Sequence, residues 1–323
     1  MGVRHGAPTR RTVLAAALAA TTTSALAAGC TRHGTTDDGR APQGTPTPSG
    51  THATGSVLAV KIDNVAAARP QTGLDSADVV YAEQVEGGLS RLMAVYATQL
   101  PEVIGPVRSA RESDLELLRQ FDRPTLAFSG AQKKLLPLIG RAPLRAESPE
   151  QASGAYYRGS GRPAPHNLYL RPAKVMDGVP GKAALTTGFR YGPAPAGGTV
   201  TAARTVRYPA ARFTFTWSAG RNRWLVSMDG TPDRTTAGKR LAAATVVVQY
   251  VEVTTSRYHD VLGNPTPYTE TVGSGKADVL RDGQSFETTW SRPAATDGTT
   301  FTGADGRPVN LADGPVWVVF AKA

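Results

Sequence analysis

Between Val57 and Asp122 the apolar residues come in runs of strand length, parted by short polar clusters, and this pattern constrains the fold more than any other feature of the chain. Val57–Ile62 is one such run. Asp78–Val85 and Arg91–Thr98 are two more, joined by Glu86-Gly87-Gly88, where glycine takes positive φ without steric cost. A helix is expected next. Ser109 with Glu112, and Ser113 with Glu116, have capping-box spacing, and Leu115, Leu118 and Phe121 supply an apolar stripe. Thr125–Phe128 reads as a short buried strand, and Gln132–Ile139 as a helix interrupted by Pro137. Pro172 reads as the first turn of a short helix. From Val200 onward the helix signals stop. Phe213–Trp217, Arg223–Met228, Thr245–Val253, Tyr268–Val272, Ala277–Leu280, Phe286–Trp290 and Val316–Phe320 are strand-like, and Asp229-Gly230, Asp282-Gly283 and Asp305-Gly306 mark tight turns. The reading is α+β: an N-terminal mixed α/β domain over 56–192, then a β-rich C-terminal domain over 199–323, parted at Pro193–Gly198.

The first 55 residues read differently. Thr9-Arg10-Arg11-Thr12-Val13-Leu14 resembles a twin-arginine export signal, with the general export route as the alternative. Leu26-Ala27-Ala28-Gly29-Cys30 resembles a bacterial lipobox, its leucine one place further from the cysteine than usual. Residues 1–30 are therefore expected to be a lipoprotein signal. Lipid on Cys30 would hold the protein to the outer, extracytoplasmic face of the cell membrane, firmly only with several acyl chains. Residues 31–55, rich in Thr, Gly, Pro and Asp, read as a disordered tether. Cys30 is the only cysteine, which excludes an internal disulfide and a cysteine zinc site. The net charge is +10, of which Arg4, Arg10 and Arg11 supply three, leaving +7. A basic exported protein suits anionic lipid headgroups or cell-wall polymers. Without a Lys/Arg block or an aromatic-basic motif, nucleic acid is not an expected partner.

The polar clusters supply the candidate site. Arg108-Ser109-Ala110-Arg111 falls at the expected helix start, where free N–H groups and the helix dipole would join two guanidiniums around a carboxylate or phosphate. The alternative is that these arginines pair with Glu83, Glu86 or Asp114, and that Ser109 only caps the helix. Glu83 and Glu86 are weak as a catalytic dyad, since positions three apart on a strand face opposite ways. His166, after Pro165, is a candidate general base; without a second histidine at ligand spacing no metal site is expected, and no cofactor is implied. Phe128-Ser129-Gly130 lacks the first glycine of a nucleophile elbow and reads better as a helix cap. His259-Asp260 is a lone dipeptide.

Taken together, VKIDN, ARPQTGL, VEGG-SR, GPVRSAR and PHNLY, followed by TVVVQYVEV, VGSGKADVLRDG, TTWSR and GPVWVVF, resemble the YerB-like bacterial lipoproteins, a family of unknown function. The resemblance implies a two-domain, membrane-tethered envelope protein and no particular reaction. It carries over Asp63, Asn64, Arg69, Gln71, Glu86, Arg91, Arg108, Ser109, Arg111 and His166 as a characteristic polar set. The expected function is binding of an anionic envelope ligand, with cell-wall material foremost. A hydrolase or transferase using Glu86 or His166, and a structural partner of an envelope protein complex, are the alternatives.

Overall fold

A computed structural model describes residues 56–260 and 263–323. The expected signal, the lipobox at Cys30 and the tether to residue 55 lie outside them. The first strands follow the apolar runs: β1 (Leu58–Asp63), β2 (Val79–Gln84) and β3 (Ser90–Tyr96). Then come α1 (Glu112–Leu118), β4 (Thr125–Ala127), α2 (Leu136–Arg141), β5 (Arg145–Glu147), β6 (Tyr156–Arg158) and β7 (Leu168–Leu170). The later strands are β8 (Thr199–Val200), β9 (Ala203–Tyr208), β10 (Ala211–Ser218), β11 (Arg223–Met228), β12 (Thr231–Pro232) and β13 (Ala242–Ala243). The remainder are β14 (Thr245–Val251), β15 (Val253–His259), β16 (Pro265–Thr269), β17 (Gly273–Arg281), β18 (Gln284–Arg292), β19 (Thr300–Thr302) and β20 (Val316–Lys322).

The protein is strand-rich, and the expected α+β balance needs correcting toward β. The two α-helices among the described residues have only seven and six residues. Pro137 does not interrupt a helix; it occupies the first turn of α2, where its missing N–H costs nothing. Pro172 opens a 3-10 turn, Pro172–Lys174. The Asp-Gly turns form as expected: Asp229-Gly230 and Asp282-Gly283 both have positive φ at each residue, the primed-turn geometry that matches strand twist.

The two sequence segments share one sheet. Its order is β19-β18-β17-β14-β20-β2-β3-β1-β4-β5, so the join falls where β20 lies parallel to β2 on one side and to β14 on the other. Both faces of this sheet are covered, which explains why β1, β2, β3 and β20 read as nearly continuous apolar runs rather than alternating ones. On one face Leu58, Val80, Ala94, Val248 and Trp317 pack toward Phe213, Phe215, Trp224 and Met228 of a second sheet, β12-β11-β10-β9. On the other, Ala59, Tyr81, Val95, Val247 and Val318 pack with Leu117, Leu118 and Phe121 of and beyond α1, and with Phe128 and Ile139. Residues 51–323 make one compact unit with these cores inside it.

Candidate functional site: a guanidinium-lined cleft

Strand periodicity builds the site. On β1, β2 and β3 every second residue faces α1, and in the register of these strands Asp63, Arg91 and Glu83 stand side by side across them. They end the apolar stripe of that face. One residue pair further in, Lys61 is fully buried and donates to Asp114 of α1 at 2.7 Å and to Glu83. Ser113 also donates to Glu83, at 3.0 Å. Burial raises the Glu83 pKa above its ordinary value against the opposing pull of Lys61.

The segment before α1 differs from expectation. α1 begins at Glu112, three residues after Ser109, because Asp114 rather than a serine caps it by accepting the Arg111 N–H at 2.7 Å. Neither serine-led capping box forms. Arg108 N–H donates to the Lys61 carbonyl and Ala110 N–H to that of Gly130, at 2.8 and 3.0 Å, so these amides are not free for an anion. The expected helix-terminus arrangement therefore does not form at these two amides, and side chains line the space in front of α1 instead. Ser109 Oγ lies 3.3 Å from Ser129 Oγ, and since α2 starts only at Leu136, Ser129 is neither a helix cap nor an elbow nucleophile.

Those side chains line a cleft of about 340 Å³. Arg91, Arg108 and Arg111 all reach it, as do Asp63, Glu86 and Ser109. Arg111 clamps Glu86 bidentately, with Nε and Nη2 at 2.7 and 2.8 Å from the two carboxylate oxygens. Burial would raise the Glu86 carboxyl, but the Arg111 hydrogen bonds and charge, together with Thr266 donating at 2.5 Å, hold it below its ordinary value. Arg108 Nε is 3.3 Å from Asp63 Oδ2, and His166 Nδ1 meets the same oxygen at 2.8 Å. Arg91 is the odd member. It is only 9% exposed, Nη1 donates to the Ser109 carbonyl at 3.1 Å, and among the described residues no carboxylate lies within 4 Å of its nitrogens. Burial, and then the charge of Arg111, push its pKa down to about 10.

Four sequence candidates do not line the cleft, and of these His166 touches it only through Asp63. Gln71 donates to Asn64 at 2.8 Å and Asn64 to Ser90 at 2.9 Å, a buried network that lies behind the cleft and reaches its wall only at Ser90. Arg69 turns to the opposite side and pairs with Asp229 of the second sheet. The far wall is one that sequence reading missed. Tyr258, His259, Asp260 and Thr266 come from the β15–β16 hairpin, with Ser256 donating to Glu112 at 2.5 Å and Tyr268 to Glu116 at 3.0 Å. A buried arginine, Arg292 on β18, donates to the last-turn carbonyls of α1, Glu116 and Leu117, at 2.9 and 3.3 Å.

Comparison with known proteins follows the same two segments. Residues 44–185 match the family model described as Protein of unknown function (DUF3048) N-terminal domain, and 204–318 match its C-terminal domain. The chain belongs to the DUF3048 family. A sequence relative, "Putative lipoprotein YerB" of Bacillus subtilis (strain 168), is 46% identical over 65 residues, about a fifth (20%) of either chain. The crystal structure of YerB protein from Bacillus subtilis superposes with a TM-score of 0.68 at 21% identity, covering 83% of this chain and 91% of that one, a likeness of fold. The two-segment architecture is thus that of the family, and no helix among the described residues is long and apolar enough to cross a membrane.

Proposed function

We propose that the cleft binds the carboxylate or phosphate group of an anionic cell-envelope ligand. One observation carries this: Arg91 is a buried guanidinium with no carboxylate partner among the described residues, set beside Arg108 and Arg111 on the same wall. An unpaired buried charge is costly, and an incoming anion supplies the missing partner in a site of low dielectric. Arg91 and Arg108 hold the acidic group, while Arg111 is already committed to Glu86 and fixes the cleft's edge. Glu86 and Asp63 orient the arginines.

The family relative's name supports placing the protein on the membrane by lipid at Cys30, on the outer face, with residues 31–55 as a tether. In that setting cell-wall polymers are the nearest abundant anions.

The test uses residues 51–323, wild type and Arg91→Met, incubated with isolated cell-wall sacculi. Arg91-dependent co-sedimentation with intact wall material supports binding. Equal sedimentation of both forms removes the cleft from the account, and absence of binding leaves an envelope protein as the partner.

A second reading has its own observation. His166 Nδ1 sits 2.8 Å from a buried carboxylate, the arrangement that orients an imidazole as a general base. Under that reading the wild type releases soluble wall fragments, seen by mass spectrometry, and His166→Ala does not.

A further inference from the structure

The charge of this chain is concentrated in one place. Residues 199–244, which form β8 to β13, contain eight basic residues and two acidic ones, so this short stretch supplies +6 of the chain's net +10. Of the two acids Asp233 is buried, while Asp229, paired with Arg69 and accepting the Arg212 N–H at 2.8 Å, stands beside Arg207 and Arg212 and offsets only part of their charge.

Alternation along the second sheet separates its two faces. Val206, Tyr208, Phe213, Phe215, Trp224 and Val226 point into the core. The opposite face presents Thr205 and Arg207 from β9, Arg212 and Thr214 from β10, and Arg223 and Ser227 from β11. In register, Arg207 is directly opposite Arg212, a like-charge cross-strand pair that destabilises a sheet in isolation. Between them the β9–β10 turn leaves a shallow hollow of about 350 Å³. The neighbouring row is hydroxylic, with Thr205 and Thr214 3.0 Å apart and Ser227 opposite Thr214; Arg240 donates to Ser227 at 3.1 Å. The face is thus basic and hydroxyl-rich, and in the next row Thr216 stands between two apolar residues, the exposed Ala203 and the half-buried Leu225.

We propose that the outer face of the β9–β10–β11 sheet docks on an anionic phospholipid surface, its arginines reaching lipid phosphates. The geometry favours a surface over a single small anion, because the guanidiniums are spread across three strands instead of converging in a cleft. A phosphate seated between Arg207 and Arg212 relieves their repulsion, and the hydroxyl row supplies further donors. A membrane beside a lipid-tethered family member is the flat polyanion at hand, and each basic residue near an anionic leaflet raises partition about fivefold.

The experiment is vesicle co-sedimentation of residues 51–323, which lack Cys30 and so any acyl chain, with phosphatidylcholine vesicles containing or lacking phosphatidylglycerol. The expected result is partition to the phosphatidylglycerol vesicles alone, falling steeply as NaCl rises from about 0.05 M to about 0.5 M. The triple variant Arg207→Gln, Arg212→Gln, Arg221→Gln (Arg221 being exposed in the turn that joins β10 to β11) is expected to lose about a hundredfold in partition, with a melting temperature no lower than the wild type's, since the Arg207–Arg212 repulsion goes with the charges. Arg91→Met, in the cleft, is expected to bind vesicles like the wild type. Salt-insensitive partition, equal binding to uncharged vesicles, or an unaffected triple variant overturns the proposal. So does capture by soluble polyphosphate without vesicle binding, which assigns the face to a wall polyanion. The cleft reading survives any of these results.

Discussion

Replacing Arg91 by methionine should stabilise the free protein, the reverse of what removing a buried, hydrogen-bonded residue usually does. Burial and the neighbouring Arg111 lower the Arg91 pKa to about 10. Taken as the cost of holding the charged form in place, that fall is worth about 3 kcal/mol at neutral pH. Against it stands the hydrogen bond from Nη1 to the Ser109 carbonyl, worth about 1.5 kcal/mol or a little more for a charged donor. Methionine nearly matches the aliphatic stem and brings no charge, so the balance is a gain of about 1 kcal/mol. For a unit of this size that is about 2–4 °C in melting temperature. Thermal unfolding of residues 51–323 with and without added inorganic phosphate is the assay. The wild type should gain stability from the anion, and the variant, more stable at the outset, should gain less. A variant destabilised by more than about 1 kcal/mol would refute the reasoning, since Arg91 would then have a partner in the free protein that makes up for its burial.

Three further outcomes follow from other buried groups. Lys61→Met strands Glu83 and Asp114 without their shared cation and should cost about 3–5 kcal/mol; the loss should be larger at pH 8 than at pH 5, where the Glu83 carboxyl, its pKa raised by burial, takes up a proton more readily, and urea unfolding at both pH values checks it. Burial lifts the Asp233 pKa to about 6, so its contribution is fully present below about pH 4 and is lost as pH rises through 6; Asp233→Asn should flatten up to about 3 kcal/mol of that dependence in the same measurement. Arg292→Ala removes the donors to the Glu116 and Leu117 carbonyls and to Thr271, and should cost about 3 kcal/mol; hydrogen exchange should then show α1 amides losing protection ahead of β1 and β3.

The central strands were legible because their residues are apolar whichever face they turn, and those of the second sheet because apolar residues alternate along them. The polar clusters at their ends were legible as a group. What could not be read was their grouping in space, which depends on register: Asp63, Arg91 and Glu83 become neighbours only once β1, β3 and β2 pair as they do. Helix starts depend on a local competition. Ser109 and Asp114 both offer oxygens, and Arg108 N–H is drawn into pairing with Lys61 instead of joining a first turn. Arg69 looked like its neighbours in sequence, yet its partner Asp229 is more than a hundred residues away and nothing local announces it. The hairpin wall failed for the same reason: Thr266 meets Glu86 across 180 residues of chain, and His259-Asp260 has no spacing that marks it as part of a cleft.

The place of β20 has a consequence for how the chain comes to be folded. Residues 316–322 are hydrogen-bonded between β2, near residue 80, and β14, near residue 248, and they emerge from synthesis after the other strands of the described residues. Until then the two halves of the great sheet each carry an open, apolar edge with nothing to close it, the condition under which chains pair wrongly with one another. Pairing at such separation is slow. A nascent chain of this protein therefore has to wait, guarded, until residues 316–322 are made, and loss of that short segment should part the sheet into two halves with open, sticky edges.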